Sequence, residues 1–153
     1  MQSEINKIKT LLQETATGNN WTGINAHQIL NDITAETATK KLNEKHLNIA
    51  ELTAHLTCWN YVIAKRLDGE NQELTKEEDF PTINNLNEES WNDLKQNFID
   101  SFHFLIDKLT EKEDAILDQP MFEGSSLSYR NLHGQISHLH YHLGQIMLLK
   151  KLL

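Results

Sequence analysis

Apolar residues recur at three- and four-residue steps along most of this chain, and strand-like alternation is nearly absent. That period matches the turn of an α-helix, so each segment presents an apolar stripe that another segment must cover. Residues 3–17 place Ile5, Ile8, Leu11 and Leu12 at this spacing and end at Gly18-Asn19-Asn20. The stretch Trp21–Gly23 reads as a loop carrying a buried aromatic. A shorter helical piece follows over 26–39, with Ile29, Leu30 and Ile33 on its apolar side. Asn48 and Glu51 stand at the spacing of a capping box, ahead of a stripe of Ile49, Leu52, Leu56, Trp59 and Ile63. That helix runs to about Leu67, and Gly69 stops it. Residues 70–87 are polar, contain Pro81 and show no period, so they read as a long connection. Asn87 or a neighbour caps a third long helix with Trp91, Leu94, Phe98, Phe102, Leu105 and Leu109 in step. Glu113 to Ser126 holds Pro120 and Gly124 and is a second loop; Ser128 then opens a last helix that continues to the C-terminus.

Four long helices with two long connections predict an all-α four-helix bundle, one domain over residues 1–153. A chain of this length buries a sizeable core without disulfide staples. Its single cysteine, Cys58, rules out an internal disulfide and fits a reducing compartment. No apolar run approaches the roughly 20 residues that span a bilayer. The opening MQSEINKIKTLLQ is amphipathic, with polar residues throughout, and lacks the apolar core of a signal peptide. A cytoplasmic location is therefore expected. The formal net charge is −8 and the basic residues are scattered. Neither a nucleic acid nor an anionic membrane is an expected partner, because both need a cationic footprint.

Histidine is the unusual feature: there are eight, four of them between His133 and His142. The segment His138-Leu139-His140-Tyr141-His142 lies in a long, proline-free, leucine-rich stretch, which makes it helical. At ~100° per residue, His138 and His142 then share a face, and His140 points nearly opposite. Two imidazoles one turn apart rarely hold a metal alone, so a third donor must come from another helix. His55 stands on the core side of its own helix, one turn from Leu52 and Trp59, and is the best candidate. His103 on the third helix competes with it. Three neutral imidazoles leave a coordination position open, the pattern of catalytic sites. Such ligands suit zinc, nickel, iron or copper. A packed core histidine and an unrelated surface pair remain the plain alternative.

The sequence resembles the DinB-like (YfiT-like) family of four-helix-bundle proteins. The likeness lies in Glu51-Leu52-Thr53-Ala54-His55-Leu56-Thr57-Cys58-Trp59, in Leu132-His133-Gly134-Gln135-Ile136-Ser137-His138, and in Tyr141-His142-Leu143-Gly144-Gln145-Ile146. Trp21-Thr22-Gly23 and the helix end at Leu67-Asp68-Gly69 agree with it, in the same order. The resemblance implies a four-helix bundle whose metal ligands are His55, His138 and His142, holding a divalent ion, with zinc or nickel the first expectation. It also implies a metal-dependent hydrolase or a thiol S-transferase acting with a low-molecular-weight thiol such as bacillithiol or mycothiol, commonly as a homodimer. One departure stands out. Many relatives carry an Asp after the first histidine of the pair, where this chain has Leu139. Leu139 also argues against a metalloprotease, whose HExxH helix keeps its general base there.

The neighbouring residues are open to two readings each. Glu51, one turn before His55, either accepts that ring's free N–H or caps its helix. Tyr141 and Gln145 lie near the His138/His142 face, more simply as packing or inter-helix hydrogen bonds than as substrate contacts. Cys58 reads as a buried structural thiol before an extra ligand. Gly134 and Gly144 read as close-packing positions, and His27 and His46 as loop residues. His133 and His140 share the far face of the last helix with Ile136, Leu143 and Met147, to be covered by a second subunit or by the segment at 26–39. The function expected is a metal-dependent transferase or hydrolase on a small molecule. A non-catalytic metal-binding stress-response protein is the alternative. A di-iron bundle is weaker, since Asp100-Ser101-Phe102-His103 is the only near match to its Glu-x-x-His motif.

Overall fold

The computed structural model describes residues 3–153, which contain α-helices and no strands. In chain order these are α1 (Glu4–Ala16), α2 (Ala26–Leu30), α3 (Ala35–Thr39), α4 (Ile49–Arg66), α5 (Lys76–Asp79), α6 (Glu88–Thr110) and α7 (Ser128–Leu152). A 3₁₀ turn at Asp114–Asp118 interrupts the second loop. Three of the four long helices, α1, α4 and α6, start where a short polar side chain meets the orphan N–H groups of the first turn. Asn48 accepts from the Glu51 N–H at 2.8 Å while Glu51 accepts from the Asn48 N–H at 3.0 Å, completing the capping box. Asn87 accepts from the Ser90 N–H at 2.8 Å to start α6. For α1, Ser3 accepts from Asn6, and the distant Asp114 accepts from the Glu4 and Ile5 N–H groups at 2.9 and 3.0 Å.

The four long helices form a ring in which α1 and α4 each pack against both α6 and α7. Pairs across the interfaces give the directions. Asn60 meets Ser101 and Asp68 meets Lys108, so α4 and α6 run parallel. His55 meets His138 and Asn60 meets Gln135, so α4 and α7 run antiparallel. Glu4 approaches His133 and Thr15 approaches His140, so α1 and α7 run parallel. The order is up-down-down-up. The centre is filled by Trp91, Phe98, Phe102, Leu105 and Leu109 of α6 with Ile8, Leu12, Leu56, Leu132 and Leu139, all essentially inaccessible to solvent.

A parallel α4/α6 pair requires the chain to return along the whole of α4, roughly 27 Å at 1.5 Å per residue. Residues 67–87 make that return as a strap tied down at several points. Asn48 Nδ2 donates to the Ile83 carbonyl at 2.7 Å, the Ile83 N–H donates to Glu51 Oε1 at 3.2 Å, and the Trp59 indole N–H donates to Asp79 Oδ1 at 2.7 Å. The strap is not the featureless connection its polarity predicts. Thr75 and Glu78 form their own capping box and start α5.

Several other expectations are corrected. The piece at 26–39 is two helices, because Thr34 accepts from the Thr37 N–H and starts a new one; His27 lies within α2. Trp21 is 99% exposed rather than buried, since Asn20 folds the turn over Thr22 and the Ile24 carbonyl and brings Ile24 inward instead. Leu11 falls on the rim of its stripe and is exposed. A Cβ added at Gly134 or Gly144 would meet nothing within 4 Å, so neither glycine serves close packing. Part of the far face of α7 meets α1 and the Ile24–Ile29 segment: His140 lies 3.2 Å from Thr15 Oγ1, and Leu143 and Met147 share a cavity wall with Ile24 and Ile29. Among the described residues no helix is long and apolar enough to cross a membrane.

Glu51 is buried, and burial works against its charge. Lys41 at 2.8 Å and the Asn48 and Ile83 N–H groups outweigh that and hold its carboxyl below the usual 4.5. Glu51→Gln keeps the shape but turns an amide donor toward those donors, and should cost about 1–3 kcal/mol in a denaturant melt near neutrality. A carboxyl whose pKa is lowered by folding contributes stability above its unfolded value and loses it as pH falls. The deficit should therefore close below pH 4.5. A deficit unchanged in acid would assign Glu51 a packing role instead.

Candidate metal centre

α4 carries His55 into the interface with α7, where His138 and His142 face it from successive turns. One nitrogen from each of the three rings lies within 4.8 Å of the others, the only such group of three or more potential ligands among the described residues. The ring centroids stand 4.7–4.9 Å apart, each pair nearly perpendicular. His55 and His142 are buried and His138 is half-buried. His55 is clamped: Phe80 of the strap stacks on it at 4.0 Å and 8°, and Trp59 meets it edge-on at 6.4 Å.

The outer hydrogen bonds decide which nitrogens are free. His55 Nδ1 lies 2.8 Å from the Asp79 carbonyl, which only accepts, so Nδ1 bears the proton and Nε2 holds a lone pair. For His138 the argument runs through a buried chain that starts at another carbonyl. Ser101 Oγ donates to the Phe98 carbonyl at 2.6 Å and accepts from Asn60 Nδ2 at 2.9 Å. Asn60 Oδ1 then accepts from Gln135 Nε2 at 2.8 Å, which leaves Gln135 Oε1 facing His138 Nδ1 at 3.4 Å as an acceptor. His138 Nδ1 is thus the protonated nitrogen as well. The two Nε2 atoms nevertheless face each other at 2.9 Å, lone pair against lone pair. His142 Nδ1 lies 2.7 Å from Gln145 Oε1, an arrangement of the same kind. Burial, and then the neighbouring imidazoles, push His138 down to about 4; burial also lowers His142. Both rings are neutral near pH 7, the form that ligates metals.

Facing lone pairs repel unless a cation lies between them, and hydrogen-bonded Nδ1–H groups behind them are the usual support of histidine ligands. The donor set fits a divalent ion. It opens on one side into a cavity of about 390 Å³ lined by Trp59, Ile63, Arg66, Phe80, Arg130 and Gly134 among others.

A family model described as the DinB superfamily matches residues 21–146. The chain belongs to the DinB superfamily. No curated protein and no solved structure matches it significantly. Superfamily membership and the histidine cluster together fit a metal-dependent protein. In this DinB bundle His103 is exposed on α6 and takes no part in the cluster. Cys58 is half-buried outside it, and burial followed by Asp79 and Glu78 raises its thiol pKa. Glu51 serves the helix cap and the strap, while the Asp79 carbonyl takes the His55 N–H in its place. Gln145 supports His142, and the largely exposed Tyr141 lies edge-on to that ring at 4.8 Å. Leu139 is wholly buried in the core. Sequence reasoning missed Asp79, Phe80, Asn60 and Gln135 as supports of the DinB site. The Thr75-x-x-Glu78 capping pattern was the available sign that the strap has structure at Asp79.

His138→Leu removes one of the facing lone pairs at similar volume. Chelated variant protein should melt higher than chelated wild type, and adding zinc should raise only the wild-type Tm by more than a few degrees. A variant that melts lower without metal would show that the two nitrogens do not oppose each other.

Proposed function

We propose that this DinB-superfamily protein is a metal-dependent enzyme, a thiol S-transferase or hydrolase working on a small molecule. The reading is carried by the approach of His55 Nε2 and His138 Nε2 to 2.9 Å in an open cavity that His142 also lines. His55, His138 and His142 are the residues that would hold one divalent ion, with zinc or nickel preferred and iron or copper compatible with the same imidazole donors. A bound ion would supply Lewis acidity, favouring the deprotonated form of a thiol or water near neutral pH.

The chain's own groups do the rest. The Asp79 carbonyl, Gln135 and Gln145 fix the tautomers and aim of the three rings. Phe80 and Trp59 wall off the His55 side from water. The cavity gives a low-molecular-weight thiol, or an electrophile of similar size, room beside the histidines. Gly134 sits exposed on that wall with open space before it, so no side chain fills the approach.

Elemental analysis tests the ligand set. Wild type should retain close to one metal per chain, and both His55→Ala and the His138→Ala/His142→Ala double variant should lose it. Metal retained in His55→Ala would overturn the three-histidine assignment. Gly134→Leu tests the cavity separately. It should hold or raise Tm, because glycine inside a helix costs about 0.5–1 kcal/mol. It should also keep the metal while lowering thiol-conjugation or ester-hydrolysis rates at least about tenfold, ~1.4 kcal/mol of transition-state stabilisation. Undiminished rates would remove the reaction from this cavity.

A further inference from the structure

The chain contains two arginines against twelve lysines, and both arginines line the histidine cavity. Arg66 comes from the last turn of α4 and Arg130 from the first turn of α7. Because those helices run antiparallel, the two cations share the end of the cavity remote from His142. Among the described residues, the ion pairs use only lysine or histidine as the cation, so neither arginine is paired with a carboxylate. In a chain of net charge −8, two unpaired guanidinium groups in one cavity are unexpected.

Arg66 is also held in place. Its guanidinium carbon lies 5.3 Å from the centre of the Trp59 ring and 5.5 Å from that of Phe122. One terminal nitrogen donates to the Gln72 carbonyl at 3.3 Å, while Nε is buried with no partner. A partly desolvated cation with an unused donor is costly alone and is relieved by an anion. The fork of a guanidinium matches the two oxygens of a carboxylate. Among the described residues Asp79 is the only acid on the cavity wall, and it stands at the histidine end with Oδ1 bonded to Trp59 and 3.0 Å from His55 Nδ1. The cavity is therefore cationic at one end, with the histidines at the other. Trp59 bridges them, its ring centre 5.9 Å from that of His138.

We propose that the cavity takes a small organic carboxylate, with its carboxylate at Arg66 and Arg130, a flat or apolar stretch along Trp59 and Phe80, and its reacting end at the three histidines. Which end reacts rests on the function proposed above; the anion end does not.

The test uses metal-free protein, so that it stands or falls apart from the metal reading. Calorimetric titration compares 3-phenylpropionate, 3-phenylpropionamide and 2-phenylethyl phosphate as probes. The acid should bind about tenfold more tightly than the amide, the size expected of a charge-assisted hydrogen bond. Added salt should narrow the ratio. In Arg66→Met, which keeps an unbranched stem between the rings, and in the exposed Arg130→Gln, the ratio should fall toward one. Amide affinity of the metal-free protein, and zinc uptake in a separate titration, should match wild type, showing that fold and histidine site are intact. An acid bound no more tightly than the amide, or a preference that survives in both variants, overturns the proposal. Tighter binding of the phosphate ester overturns the carboxylate assignment. Loss of metal binding in wild type would sink the function proposed above and leave this result standing.

Discussion

α4 and α6 run in the same direction, and the rest of the molecule follows from that constraint. Parallel neighbours cannot be joined by a short turn, so the chain must travel back along the bundle before α6 begins. That return puts a strap over the one face of α4 that carries His55. The strap stays because its polar backbone has partners in the helix cap: Asn48 and Glu51 satisfy each other and still reach both the carbonyl and the N–H of Ile83. The capping box thus starts a helix and fastens the segment that roofs the site. Asp79 and Phe80 arrive at His55 as a consequence of topology.

The second organising element is a line of hydrogen bonds whose direction is set far from the histidines. The Phe98 carbonyl can only accept, and this polarises Ser101, Asn60, Gln135 and finally His138 in sequence. Three helices contribute to it: α6 through Ser101, α4 through Asn60, and α7 through Gln135. Every link but the last is buried, so a wrong orientation at any of them would leave an unsatisfied donor or acceptor in a low-dielectric interior. The same bonds that tie the helices together therefore choose the nitrogen that His138 offers. Stability of the bundle and chemistry of the site rest on one set of contacts.

That coupling carries a cost. Holding the Nε2 lone pairs of His55 and His138 at 2.9 Å is unfavourable by itself, and packing sustains it. The aromatic clamp of Phe80 and Trp59 on one side and the amide supports on the other leave the rings no easy rotation away. Functional sites commonly hold such locally unfavourable geometry, stabilised by the surrounding fold.

Much of the fold was written in local chemistry. The stripes through Leu56 and Phe98, the capping residue Asn48, and the start of α7 at Ser128 are properties of neighbours three or four positions apart, so the sequence determined them alone. The pairing of His138 with His142 belongs to the same class, since one helical turn separates them. The sequence could not decide what depends on helices meeting from distant parts of the chain. His55 and His103 both carried suitable chemistry, and only the antiparallel packing of α4 against α7 brings the first to the pair and leaves the second in solvent. Trp21 looked like a core residue by type, but a side-chain-bonded turn holds it outside. Glu51 stood one turn from His55 and went to the strap, because the Asp79 carbonyl reaches that ring from a segment with no periodicity to announce it. Helical period is encoded between neighbours; the partner of a buried polar group is set by whichever helix or strap topology lays beside it.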